Sequence, residues 1–264
     1  MKFTVFGASG FIGAYLVEYL RSSGHDVTPV SRSNLSAPRG ELGHCIYAIG
    51  LTSDFRSRPF DTIDAHVSLL SNLLRVEDFQ SFLYLSSTRV YANSNVACED
   101  SALSVRSSDP SDLYNLSKLT GEAICLSSGR SNVRIARLSN VVGPDEAQSD
   151  TFVGELCREA RRGHIQLRTD PSSSKDYIWI ANVAELLTKI ALTGQRSIYN
   201  VASGVDLSHH SWVSAISAIS GCSVAVDDGA PCIRFPSIAT KRISDEFDVA
   251  MAPVLNFLPK IFEK

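Results

Sequence analysis

Phe3-Thr4-Val5-Phe6 runs directly into Gly7-Ala8-Ser9-Gly10-Phe11-Ile12-Gly13, and no other stretch of the chain restricts its fold as tightly. The first four residues read as a short buried strand. From about Phe11 to Ser22 the side chains Phe11, Ile12, Ala14, Tyr15, Leu16, Val17, Tyr19 and Leu20 make a helix apolar nearly all round, as a helix packed on a sheet should be. The glycines between them permit a tight turn. They also let backbone N–H groups close on an anion at the positive end of the helix dipole. Strand, glycine turn and helix in this order begin an open α/β sheet that grips a pyrophosphate. Gly7, Ser9, Gly10, Phe11, Ile12 and Gly13 are therefore candidate binding residues for a dinucleotide cofactor.

The next strand, Asp26-Val27-Thr28-Pro29-Val30, ends in Ser31-Arg32-Ser33. A free ribose 2′-hydroxyl is usually met by an acid at this strand end, and none stands here. Arg32 suits a 2′-phosphate instead, which leans the NAD(P) choice toward NADP. The competing reading of Arg32 is a solvated surface arginine.

Tyr114 and Lys118 lie four residues apart, so a phenol and an ammonium share one helix face. A free tyrosine, with a pKa of roughly 10, is a poor base at neutral pH. A nearby cation favours the phenolate and lowers that pKa by about 1–3 units. The pair therefore reads as a proton-transfer device. Upstream, Phe82-Leu83-Tyr84-Leu85 is a buried strand that delivers Ser86 and Ser87 at its C-terminal end, where open α/β sheets bind ligands.

A chain of 264 residues can bury one large core, or one core with a smaller lobe. A net charge of −3 gives no electrostatic reason to expect nucleic acid or an anionic membrane as partner. Apolar stretches fall far short of the ~20 residues that span a bilayer. The N-terminus turns to glycine too early for a secretory signal. Cys45, Cys98, Cys125, Cys157, Cys222 and Cys232 lack metal-ligand spacing and read as reduced, mostly buried thiols of a cytoplasmic protein.

Taken together, Gly7-x-x-Gly10-x-x-Gly13, Leu85-Ser86-Ser87-Thr88-Arg89-Val90-Tyr91 and the Tyr114/Lys118 pair resemble the extended short-chain dehydrogenase/reductase family, the NAD(P)-dependent nucleotide-sugar epimerases and dehydratases. Further matching segments are Arg137-Leu138-Ser139-Asn140-Val141-Val142-Gly143-Pro144, Lys175-Asp176-Tyr177-Ile178 and Tyr199-Asn200-Val201-Ala202-Ser203-Gly204. The resemblance implies a doubly wound, mainly parallel, Rossmann-like sheet with a small C-terminal substrate lobe. Residues 1–143 would form the dinucleotide-binding domain. The lobe would come from 144–264, with 177–204 returning to the first domain. Ser87, Tyr114 and Lys118 map to catalytic positions, and Tyr114 and Lys118 also to cofactor contacts. Thr88, Asn140, Lys175 and Arg234 map to the substrate side, where a structural turn for Asn140 and a solvated Lys175 remain open. His66 reads as a satisfied structural histidine. The resemblance allows a homodimer and implies a role in cell-surface polysaccharide assembly.

Departures from the family pattern sharpen the expectation. Fourteen residues separate Val30 from Cys45, whereas a strand–helix–strand unit needs about 30, so the sheet is expected to be one strand shorter than usual. Dehydratases carry Asp-Glu where Thr88-Arg89 stands, which disfavours elimination. The C-terminal Arg-x-x-Asp of the family is blurred in Pro236-Ser237-Ile238-Ala239-Thr240-Lys241-Arg242. The functions left are an epimerase working through a transient ketone, an NADPH-dependent reductase of a 4-keto nucleotide sugar, and an idle NAD(P)-binding sensor.

Local structure is expected as follows. Asp112 or Ser111 caps a helix that turns Leu113, Leu116, Ala123 and Leu126 toward the core. Asn182-Val183-Ala184-Glu185 has capping-box character ahead of a helix to Leu192. Arg161-Arg162 and Asp245-Glu246 are solvated faces.

Overall fold

A computed structural model describes residues 1–35, 41–51 and 54–262. The first half of the chain alternates strands and helices: β1 (Lys2–Phe6), α1 (Phe11–Ser22), β2 (Asp26–Val30), β3 (His44–Tyr47), α2 (Pro59–Ile63), α3 (Leu69–Val76), β4 (Ser81–Ser87), α4 (Leu113–Ser127) and β5 (Val133–Leu138). A π-helical turn, Asp64–Ser68, joins α2 to α3. The second half contains β6 (Asn140–Val142), α5 (Phe152–Arg161), β7 (His164–Leu167), β8 (Ser174–Trp179), α6 (Ile180–Thr193) and β9 (Ile198–Val201). It ends with β10 (Asp206–Ser208), α7 (His209–Ser220), β11 (Ser223–Val226), α8 (Lys241–Glu246) and α9 (Leu258–Phe262).

Six strands form a central sheet in the order β2-β1-β3-β4-β5-β9, every pair parallel. Helices cover both faces, as an all-parallel sheet requires. This is the doubly wound, Rossmann-like fold expected from the sequence. Among the described residues β2 is an edge, with no strand beyond it. Pro29 within β2 fits that position, because a proline cannot donate to a further neighbour. One face packs Phe3, Leu16, Leu20 and Leu83 against Val183 and Leu187 of α6. The other packs Phe6, Tyr47, Leu70, Phe82, Tyr84 and Cys125 beneath α3 and α4.

A separate apolar core gathers Val142, Leu156, Trp179, Trp212, Ile216 and Leu258, all from the second half. Around it lie a three-stranded sheet, β10-β8-β6, and the β11-β7 pair. Within that half, β9 leaves the smaller core and pairs with β5 in the central sheet. Cys45, Cys125, Cys157 and Cys222 are buried, Cys98 is half-buried and Cys232 is exposed, all as free thiols. Among the described residues no helix is long and apolar enough to cross a membrane.

Several local expectations are corrected. Helix α4 buries Tyr114, Asn115, Ser117, Lys118, Gly121, Glu122 and Cys125, while Ala123 and Leu126 are exposed and Leu113 and Leu116 only half-buried. Its polar row is the one that faces the sheet. Asp112 occupies the N-cap position without capping, since its carboxylate accepts from the Arg106 N–H and the Asn115 amide, each at 2.8 Å. Helix α6 begins at Ile180 behind Trp179, with no side-chain cap. Burial of Trp179, Ile180 and Val183 sets that start. Asn182 lies inside the helix and donates to the Ala250 carbonyl. Glu246 is not merely solvated: it accepts the Tyr199 hydroxyl at 2.8 Å.

Candidate active site

The glycine turn sits at the C-terminal end of β1, held by Gly7 and Ala8 N–H bonds to the Val30 carbonyl at 2.8 and 3.0 Å. Gly7 has φ +83°, and a Cβ there would come within 2.8 Å of Ala48 backbone atoms. A Cβ on Gly13 would collide with the Gly7 carbonyl. Gly10 is the N-cap of α1, with no side-chain cap and no acid in the first turn. The free N–H groups of a helix start and a floor without side chains together suit the pyrophosphate of a dinucleotide. Phe11 lies against Gly143, where any Cβ would overlap its ring. Ser9, Gly10 and Phe11 are exposed and Ile12 is half-buried. Arg32 is exposed in the short turn after β2. Because Phe6 and Val30 are register partners, Arg32 follows β2 along the same sheet edge from which the glycine turn leaves β1.

Ser87 ends β4 and opens the turn Thr88–Tyr91, its hydroxyl accepting the Arg89 N–H at 3.2 Å. Tyr114, on the first turn of α4, is buried and close enough to Ser87 for that hydroxyl to act on its phenol. Its ring meets His66 edge-on at 5.4 Å and Phe55 at 5.5 Å. Lys118, one turn on, is also buried; its Nζ lies 5.9 Å from the Tyr114 ring centroid and donates to the Leu85 carbonyl at 2.8 Å. The structure thus brings Ser87, Tyr114 and Lys118 together.

The electrostatics differ from expectation. Burial raises the Tyr114 pKa above its ordinary value, and the Ser87 hydroxyl and the Arg89 charge oppose that rise. Arg89, its guanidinium carbon 5.7 Å from the ring centroid, is the cation acting on the phenol. The expected effect of Lys118 does not appear, because an ammonium that loses its proton at lower pH than the phenol carries no charge when the phenol ionises. Lys118 itself is pushed down to about 7 by burial, against the opposing pull of Glu122.

His66 is a structural histidine, as expected. The Ser117 hydroxyl donates to the Tyr114 carbonyl, so it accepts from His66 Nδ1 at 2.8 Å. His66 Nε2 is left to accept the Leu51 N–H at 3.2 Å. Burial foremost, then the Lys118 charge, holds its pKa at about 2. Gly50 leaves little room for a side chain, since a Cβ would lie 3.1 Å from His66 Nε2 and 3.4 Å from Lys118 Nζ.

The substrate-side candidates are spread out. Thr88 is buried beside Ser87. Asn140 is exposed, and its amide donates to the Asp176 carbonyl at 2.8 Å, the structural alternative left open above. Lys175 is half-buried rather than solvated, its Nζ 5.5 Å from the Phe235 ring centroid. Arg234 is exposed on a bridge to Ser174, one residue from Lys175.

Sequence reasoning missed the polar network beneath this site. Glu122 accepts the Ser86 hydroxyl at 2.5 Å and the Arg137 guanidinium at 2.6 Å. Arg137 donates on to Tyr91, and Tyr91 to Asn200. The available signal was the continuation of the Tyr114–Lys118 spacing by four more residues to Glu122. Also missed was Asp176, whose carboxylate accepts the N–H groups of Ser203, Gly204 and Val205 and clamps the end of β9.

A hydroxyl, a phenol and an ammonium at the C-terminal edge of a sheet that also bears a glycine turn can move a proton at a substrate oxygen. Comparisons with known proteins agree with this architecture. The structure of MoeE5 in complex with UDP-glucose and NAD aligns over 100% of this chain and 98% of its own, with 22% identity and a TM-score of 0.81. RMD from Pseudomonas aeruginosa complexed with NADPH aligns over 100% and 99%, with 23% identity and a TM-score of 0.80. UDP-glucuronic acid 4-epimerase from Bacillus cereus aligns over 100% and 98%, with 17% identity and a TM-score of 0.79. At such identities the likeness establishes the fold. No curated protein sequence matches significantly. The model of the NAD dependent epimerase/dehydratase family, however, matches residues 3–202, and the chain belongs to that family.

Proposed function

We propose that the protein is an NAD(P)-dependent oxidoreductase acting on a nucleotide sugar, working as an epimerase through a transient ketone. The observation that carries this reading is Tyr114, buried close enough to Ser87 to feel its hydroxyl, with buried Lys118 alongside, at the sheet edge that also bears the glycine turn. Gly7, Gly10 and Gly13 would hold the cofactor pyrophosphate, and Lys118 its nicotinamide ribose. Bound there, the nicotinamide accepts and returns a hydride.

Tyr114 takes the proton from the sugar hydroxyl as the carbon–oxygen bond gains double-bond character, and gives it back in the return step. Ser87 donates to the same oxygen and keeps it within reach. The Arg89 charge and the Ser87 hydroxyl both favour the phenolate against the burial that opposes it. Thr88-Arg89 leaves no carboxylate beside Ser87 for water elimination, which supports redox chemistry without dehydration. Inversion then requires the ketone to turn within the pocket before reduction.

A second reading, an NADPH-dependent 4-keto nucleotide-sugar reductase, is favoured by Arg32, an exposed cation in the turn after β2 where no acid stands to meet a ribose 2′-hydroxyl. Incubation with a nucleotide-sugar panel and each cofactor separates the two. Isomerised sugar without net cofactor consumption supports the epimerase, and stoichiometric NADPH oxidation with a keto sugar supports the reductase. Tyr114→Phe should abolish turnover while keeping cofactor affinity; full turnover in that variant would overturn both.

A further inference from the structure

Arg89 projects from the turn that follows Ser87, half-buried over the rings of Phe55 and Tyr114 at 5.3 and 5.7 Å. Among the described residues its guanidinium has no hydrogen-bond or ion-pair partner; its hydrogen bonds are those of its backbone, the N–H to Ser87 and the carbonyl from Ala92. The acids acting on it through space are committed elsewhere. Asp112 accepts from Arg106 and Asn115, and Asp109 from the Ser111 N–H. Two further cations crowd the same region. Arg56, itself exposed, also lies over the Phe55 ring, 4.5 Å from its centroid, and Lys175 is close enough for the Arg89 charge to hold its ammonium below the ordinary lysine range, second to burial. Burial and the Arg56 charge likewise depress Arg89. Arg89 and Lys175, both half-buried and without an ion-pair partner among the described residues, are a receptor for an anion.

We propose, building on the nucleotide-sugar reading above, that Arg89 with Lys175 receives a carboxylate on the reacting sugar ring, so that the substrate is a nucleotide-activated uronate. The planar guanidinium fork matches a carboxylate bidentately, and Lys175 adds a point charge. The position excludes a purely nucleotide role: Arg89 stands over Tyr114, the group that meets the reacting hydroxyl, so its anion belongs to the ring being oxidised. Phe55, buried with its ring 5.3 Å from the Arg89 guanidinium carbon, shields that charge from water.

The test compares UDP-glucuronate with UDP-glucose, which share nucleotide and diphosphate and differ only at the ring carboxylate. In wild-type protein kcat/KM should favour the uronate. Arg89→Gln should lower the uronate-to-neutral ratio about 10- to 100-fold, mostly through KM, because a charge-assisted bidentate contact is lost. Lys175→Met should move the ratio the same way by less, and Arg89→Lys should fall between wild type and Arg89→Gln. Since the Arg89 guanidinium has no hydrogen-bond or ion-pair partner among the described residues, thermal melting should stay within a few degrees of wild type. Equal losses on both sugars would place Arg89 on the diphosphate or on the Tyr114 phenolate and overturn the inference alone. So would a wild-type preference for the neutral sugar. Absence of binding and turnover with every nucleotide sugar would overturn the functional reading and this inference with it.

Discussion

Glu122 and Arg137 form an ion pair at 2.6 Å beneath the candidate active site, each with only 4% of its side chain exposed. Glu122 sits one helical turn beyond Lys118, and its remaining capacity is taken by Ser86, the neighbour of Ser87. The pair ties α4 to β4 and β5, and so fixes the two elements that carry Tyr114 and Ser87. Glu122→Gln should leave the Arg137 guanidinium buried without its counter-charge. Removing one partner of such a pair costs about 3–5 kcal/mol, to be read as a lowered urea midpoint. A joint replacement, Glu122→Leu with Arg137→Met, should recover much of that loss.

Lys118 makes stability depend on pH in a definite direction. Its pKa is about 7 in the folded chain, while an unfolded lysine titrates near roughly 10.4. Between these values the unfolded chain binds more protons, so this group makes stability rise with pH, by up to about 1.4 kcal/mol per unit. Below pH ~7 both states are protonated and the full desolvation penalty is present. Urea unfolding at pH 7, 8 and 9 should therefore show a wild-type slope that Lys118→Met lacks. Parallel curves would mean that Lys118 titrates normally.

Gly13→Ala tests the phosphate turn. Its Cβ would strike the Gly7 carbonyl, so the turn must open. Binding of NADH, followed by fluorescence, should weaken at least tenfold, with destabilisation of about 1–3 kcal/mol from overpacking. Gly24→Ala is the control for a positive-φ glycine, with φ +79° and no atom within 4 Å of its Cβ, and should leave cofactor affinity unchanged.

Arg32→Ala addresses cofactor choice. If Arg32 meets a 2′-phosphate, the variant should bind NADPH about tenfold more weakly and NADH almost as before, since one charge-assisted contact is lost. Equal affinities for NADPH before and after would return Arg32 to a solvated surface role. The measurement is a direct titration of each reduced cofactor.

His66 predicts acid sensitivity. Its pKa of about 2 in the fold lies well below the unfolded value of about 6.5, so the unfolded chain binds the extra proton between them. This group's stabilisation is present above pH 6.5 and is lost as pH falls toward 2. Unfolding free energies at pH 5 and 7 should differ less in His66→Asn than in wild type, even though the variant is less stable at pH 7.

The strand–glycine–helix start, the strand bearing Ser87 and the Tyr114/Lys118 spacing were legible because each rests on local periodicity and on glycines that a short stretch of chain requires. Counting the residues between Val30 and Cys45 predicted no further strand there, and among the described residues β2, with Pro29, is the edge of the sheet. The orientation of α4 was not. An apolar row at Leu113, Leu116, Ala123 and Leu126 looked like the core face, yet the tertiary structure turns Tyr114, Lys118, Glu122 and Cys125 inward. Periodicity reports which residues share a face, but whether a polar face can be buried depends on partners supplied from distant strands: Ser86, Arg137 and the Leu85 carbonyl. The same reason hid the cation acting on Tyr114. Sequence spacing pointed to Lys118, whereas Arg89, twenty-five residues upstream, comes over the ring only because β4 and α4 pack side by side. Residue identities set the available proton donors and acceptors; three-dimensional packing decided which of them meet, and which charge is left facing the substrate.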